Sequence, residues 1–207
     1  MKPTEILSDE HRVIEQVLAC LETMTQKFTA EGRLDPQPAR DAVAFFRNFA
    51  DRCHHGKEEA HLFPAMEAKG FSPDSGPTGV MRREHELGRL RVREMAAAID
   101  GAAAGDAAAL QRFVENAQAY IGLLREHIQK EDHCLFPMAN QALSDADQHD
   151  LLATFEKVEA EEMGAGTHET YVVFVAEGTF CDFAKFRRLA FYGPTEFIAS
   201  RWARHAV

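Results

Sequence analysis

Apolar residues recur at steps of three and four along most of the chain, the period of helices with one buried face. Leu7, His11, Ile14, Leu18 and Leu21 share such a face between Thr4 and about Phe28. Gly32, Pro36 and Pro38 mark a connection, and a second helix is predicted from about Pro38 to Ala68. Residues 69–79, KGFSPDSGPTG, break the pattern. A third helix is predicted from about Val80 to Ile99, with Met81, His85, Gly88, Val92, Met95 and Ile99 on one face. GAAAGD, residues 101–106, joins it to a fourth helix from about Ala107 to Asn140. Ser144 followed by Asp147 resembles a capping box with Asp in place of Glu, and opens a fifth helix reaching about Met163. Pro64 and Pro137 fall inside two of these helices; each lacks an N–H and is expected to kink its helix or begin its last turn.

The expected fold is all-α. An up-and-down antiparallel four-helix bundle with a fifth helix occupies residues 1–164, and an aromatic-rich C-terminal extension occupies 165–207. The extension carries Phe174, Phe180, Phe183, Phe186, Phe191, Phe197 and Trp202. Periodicity does not separate strand from buried helix in its YVVFVAEGTF run. So many aromatics need a cover, which the bundle, a second copy of the chain or a protein partner would supply.

Composition narrows the function. A net charge of −10 argues against a nucleic-acid surface, which needs a basic stripe to meet phosphates. No run of about 18 apolar residues suggests a membrane span. MKPTEILSDEH at the start lacks an apolar signal core, which points to the cytoplasm. Cys20, Cys53, Cys134 and Cys181 form no CxxC pair and read as reduced thiols, with Cys53 and Cys134 expected buried and inert.

The ten histidines carry the chemistry. HHGKEEAHLFP at 54–64 aligns with HIQKEDHCLFP at 127–137 at an offset of 73. DEHRVI at 9–14 aligns with REHELG at 83–88 at an offset of 74, setting Glu10-His11 on Glu84-His85. The chain therefore reads as one helix pair written twice, each with a Glu-His and a His-x-x-x-Glu. Residues four apart lie about 6 Å from each other on one helix face. His54 with Glu58, and His127 with Glu131, can thus address one centre, and His11 and His85 complete a ring of four helices. Imidazole with carboxylate suits iron, manganese or zinc. Two buried glutamates would repel each other unless cations stood between them.

His55 and Glu59 share the spacing of His54 and Glu58. The internal alignment selects His54 and Glu58, because position 128 is Ile. His55 is then expected to face solvent or to support a ligand from outside, and loss of Glu59 is expected to cost little. Glu10 and Glu84 face solvent or hydrogen-bond to the ligands. His61 and His133 are expected at the surface or behind the ligands. Tyr120, seven residues before His127, is expected to pack in the core.

These motifs, in this order, resemble the hemerythrin-like, or HHE, domain family over roughly residues 4–163. The resemblance implies a bundle holding two non-heme irons in an Fe–O–Fe unit. It carries over His11, His54, Glu58, His85, His127 and Glu131 as ligands, the glutamates bridging and each histidine capping one metal. Manganese or zinc is a less favoured occupant. Oxygen-carrying hemerythrins have a second histidine one turn after the helix-3 histidine; here that position is Arg89. They also use HxxxxD where this chain has His127-x-x-x-Glu131. Two octahedral irons offer about twelve positions, and two bridging carboxylates, one bridging oxygen and four histidines fill about ten. The expectation is a protein that binds, senses or reduces a small gaseous or peroxide ligand: O₂, peroxide or NO. A non-catalytic iron-sensing module, or an iron donor for cluster repair, is the alternative.

Overall fold

A computed structural model describes residues 1–162, with side chains through Val158. The extension from residue 165, with Cys181 and its aromatics, lies outside the described residues, as do the side chains of Glu159, Glu161 and Glu162.

The described chain is all helical, in five helices. Helix α1 spans Pro3–Glu31 and ends at Gly32, whose φ of 62° suits a residue without a Cβ. Helix α2 occupies residues 36–67 and opens on Asp35, whose carboxylate accepts from the Gln37 N–H. Helix α3 spans Pro77–Ala103. Helix α4 occupies residues 107–142, capped by Asp106 on the Ala108 and Ala109 N–H groups. Helix α5 spans Asp145–Glu162. Its reciprocal cap is the one expected from the sequence: the Asp147 carboxylate accepts from the Ser144 N–H, and the Ser144 hydroxyl accepts from the Asp147 N–H.

The two prolines act through the turn before them. Phe63 and Phe136 donate to the Glu58 and Glu131 carbonyls, five residues back instead of four. A proline ring crowds the carbonyl of the preceding turn and offers it no N–H, and a widened turn relieves both problems. The helix then continues as a short α-helical end, Phe63–Glu67 in α2 and Phe136–Ala142 in α4. In α2 a second widened stretch covers Phe46–His55.

Two apolar clusters flank the histidines. The larger joins α1, α2, α3 and α4 through Ile14, Leu18, Phe46, Phe49, Met95 and Phe113, among others. The smaller packs Leu62 and Phe63 with Leu135 and Phe136, and receives Leu151 and Phe155 from α5. The Leu-Phe-Pro runs thus supply core side chains at one end of the polar cage. Their phenylalanines also lie flat on its rings: Phe63 stacks on His85 at 5.9 Å and Phe136 on His11 at 5.5 Å.

Phe155 is fully buried and is the main anchor of α5. Phe155→Ala should lower unfolding stability by about 3–5 kcal/mol, the cost of emptying a buried aromatic site, with α5 amides losing hydrogen-exchange protection first.

Candidate metal centre

Each of α1–α4 sends one histidine inward, and each of those four rings is at most 1% exposed. Their Nε2 atoms meet in two pairs. His11 and His54 are 3.0 Å apart, and His85 and His127 are 3.1 Å apart. Glu131 joins the pairs, with Oε2 at 3.2 Å from both His11 and His127. Glu58 joins them from the other side, at 3.8 Å from His54 and 3.5 Å from His85. Both carboxylates are fully buried, and none of their four oxygens has an aligned hydrogen-bond partner. Such groups are costly without a cation. The donor atoms of His11, His54, Glu58 and Glu131 lie within 4.8 Å of one another, as do those of His55, Glu58, His85 and His127.

Behind each ring stands a carboxylate on Nδ1. Glu10 holds His54 at 2.8 Å, and Glu84 holds His127 at 2.9 Å. Asp132 holds His11 at 2.8 Å, and Glu59 holds His85 at 2.6 Å. Each carboxylate is anchored by a cation: Lys57 on Glu10, Lys130 on Glu84, Arg12 on Asp132 and Arg89 on Glu59. In the neutral rings this favours the tautomer with the proton on Nδ1 and turns Nε2 toward the centre.

The charges show what the metal-free cage tolerates. Burial and the neighbouring Glu131 push the Glu58 carboxyl well above the usual range. Burial also opposes ionisation of Glu131, but His127 and His11 outweigh it and hold its pKa well below the usual range. His127 rises to about 9, because Glu131 and Glu84 overcome its burial. Burial drops His54 to about 3, with His11 adding to the effect against Glu10. Within the cage, ionisation is therefore favoured at Glu131 and opposed at Glu58.

All six sequence-derived residues, His11, His54, Glu58, His85, His127 and Glu131, come together in this cage. His55 takes the second of its two expected places, against a ligand rather than in solvent: it is 4% exposed, and its ring stacks on His85 at 3.8 Å and 13°. Two neighbours differ from expectation. Glu59 is not incidental, since it holds both His85 and Arg89. Cys134 is exposed, whereas Cys53 is buried as expected. Glu10 and Glu84 take the hydrogen-bonding alternative. Tyr120 is buried against Phe46 at 4.8 Å, as core packing required. His61 is half-buried and His133 exposed.

The place of His55 stayed open between two alternatives because the alignment of the halves speaks only of what they share. A signal was present in α2: Phe45-Phe46, Phe49-Ala50 and Cys53-His54 are buried doublets at steps of four, without the alternating three of a regular helix. Such a run suits a widened helix, and Phe46–His55 is widened. Both histidines of the His54-His55 pair turn inward from its end.

A family model, the hemerythrin HHE cation-binding domain, matches residues 2–139, and the chain belongs to this family. Uncharacterized proteins of Mycobacterium bovis and Mycobacterium tuberculosis are each 29% identical to it over 174 residues, covering 84% of this chain and 67% of theirs. No solved structure matches the chain. Among the described residues, no helix is long and apolar enough to cross a membrane.

In metal-free protein, His127 should titrate near pH 9. Removing the negative charge with Glu131→Gln should bring it down toward or below 6.5, since burial then acts with less opposition; imidazole NMR shifts followed against pH would show this.

Proposed function

We propose that the cage holds two non-heme irons and that the protein binds, senses or reduces a small oxidant: O₂, peroxide or NO. The observation that carries this reading is the pair of fully buried glutamates without aligned hydrogen bonds, set between two pairs of Nε2 atoms. Glu58 and Glu131 would bridge. His11 and His54 would hold one metal, His85 and His127 the other. On this reading the four ligand-bearing helices form an up-and-down antiparallel bundle, consistent with the short connections between them.

Hard carboxylates mixed with imidazoles favour iron, with manganese or zinc less suited to the redox role. When bound, the iron supplies redox chemistry and coordination positions for the oxidant. The chain's own groups supply the rest. The outer carboxylates keep the imidazoles oriented and basic, and the two apolar clusters keep water from the centre. Four histidines and two carboxylates would not fill the roughly twelve positions of two octahedral irons, which would leave room for an exogenous ligand. His55 stands beside the His85/His127 pair. Its ring runs nearly parallel to His85 rather than converging from another direction, so the six other residues are the better ligand set.

Protein purified without oxygen should contain about two irons per chain, and air should generate an oxo-bridge absorption band. Zinc alone, or no metal, would sink the reading. Glu58→Ala and Glu131→Ala should each lose metal, whereas His55→Gln should retain both irons. Glu10→Ala and Glu59→Ala should weaken metal affinity about 10- to 100-fold through the rings they orient.

Loading also has a proton signature. His127, with a pKa of about 9, is protonated at pH 7.5, and burial together with the neighbouring Glu131 favours the protonated form of Glu58. A ligating group must give up its proton. Adding ferrous iron to metal-free protein in weak buffer at pH 7.5 should therefore acidify the solution, and less so in Glu58→Gln.

A further inference from the structure

Beside the cage lies a cavity of about 140 Å³, walled by Asp51, His55, Arg89 and Tyr120 and lined also by Arg47 and Arg93. The repeat shows that it has no counterpart on the opposite flank. Applying the same offsets of 73 and 74, the counterparts of Asp51, His55, Arg89 and Arg93 are Leu124, Ile128, Glu15 and Ala19. Leu124 and Ile128 are buried members of the larger apolar cluster. One flank of the centre is thus closed with hydrocarbon, and the other is opened with polar groups.

The cavity's charge runs against that of the chain. Three arginines and one aspartate line it, in a protein of net charge −10. Arg89 is occupied by Asp51, Glu59 and Glu86. Arg47 and Arg93 are exposed and make no ion pair among the described residues. At the inner wall, neither nitrogen of the buried His55 ring has a hydrogen bond, and the nearest Asp51 oxygen is 3.5 Å from Nδ1. The same ring belongs to the donor group with Glu58, His85 and His127. The space holds a few waters or one small polyatomic ion, at about 30 Å³ of liquid volume per water.

We propose that this cavity admits a small monoanion, of the size of azide, nitrite or superoxide, to the His85/His127 side of the centre. Unpaired guanidinium groups at a low-dielectric cleft raise the local concentration of anions. At the inner wall the arriving ion meets the His55 ring, whose nitrogens lack an aligned hydrogen bond. Exogenous ligand binding is then one-sided and selected by charge. The inference rests on the two-iron reading and narrows its oxidant class.

The test titrates azide into the iron-loaded full chain, following charge-transfer absorbance at several ionic strengths, with NO as an uncharged comparison. The Arg47→Ala/Arg93→Ala variant should bind azide about three- to tenfold more weakly at low salt, lose most of the salt dependence, and bind NO as the wild type does. An Arg33→Ala/Arg112→Ala variant carries the same change in net charge away from the cavity and should bind azide normally. Unchanged azide affinity in the first variant would overturn the proposal, as would equal losses of azide and NO, or equal losses in the two variants. A chain without iron fails the two-iron reading and this inference together; a two-iron chain indifferent to Arg47 and Arg93 fails this inference alone.

Discussion

Two carboxylates are buried among four imidazoles, each within reach of two of them, and the rest of the structure is arranged around that fact. Glu58 and Glu131 are fully buried. In so dry a site two like charges cannot coexist without positive charge between or beside them. The surroundings set the two apart: they favour the protonated forms of Glu58, His11 and His127 and the ionised form of Glu131. Metal ions would meet it better, since they also satisfy the lone pairs that protons leave bare. The outer carboxylates and their basic anchors then follow as necessities. Rings that must present Nε2 inward need an acceptor on Nδ1, and that acceptor, partly buried itself, needs a cation.

Much of this was legible in the residues because the chain states it twice. Helix positions followed from apolar periodicity, and the Ser144–Asp147 cap is local chemistry. The six inner residues followed from two copies of one spacing. Lys57 and Lys130 were part of the same alignment, but their roles were not readable from it. A lysine two turns from a glutamate in another helix has no sequence spacing to betray the contact; Lys57 meets Glu10 only because α1 and α2 face each other across the centre.

Departures from regular helix were harder to foresee. Pro64 and Pro137 announced disturbance, but a widened turn and a kink are alternative ways to free the same carbonyl. The widened stretch Phe46–His55 has no proline, and its trace is only the repeated step of four between buried doublets. His55 sits at its end. Here the duplication was silent, because the halves differ where one flank stays open. Ile128 argued correctly that His54 has the partner in the repeat, and said nothing about where His55 would point.

The same salt bridge, written once in each half, works under two dielectric regimes. Lys57 on Glu10 is sealed from water, with the Phe155 ring of α5 centred 5.6 Å from its ammonium. Among the described residues Lys130 on Glu84 has no such cover, and it is 40% exposed. Ions in solution screen the second pair and scarcely reach the first. The fifth helix therefore makes chemically twin halves electrically unlike: the grip on His54 is indifferent to ionic strength, and the grip on His127 responds to it.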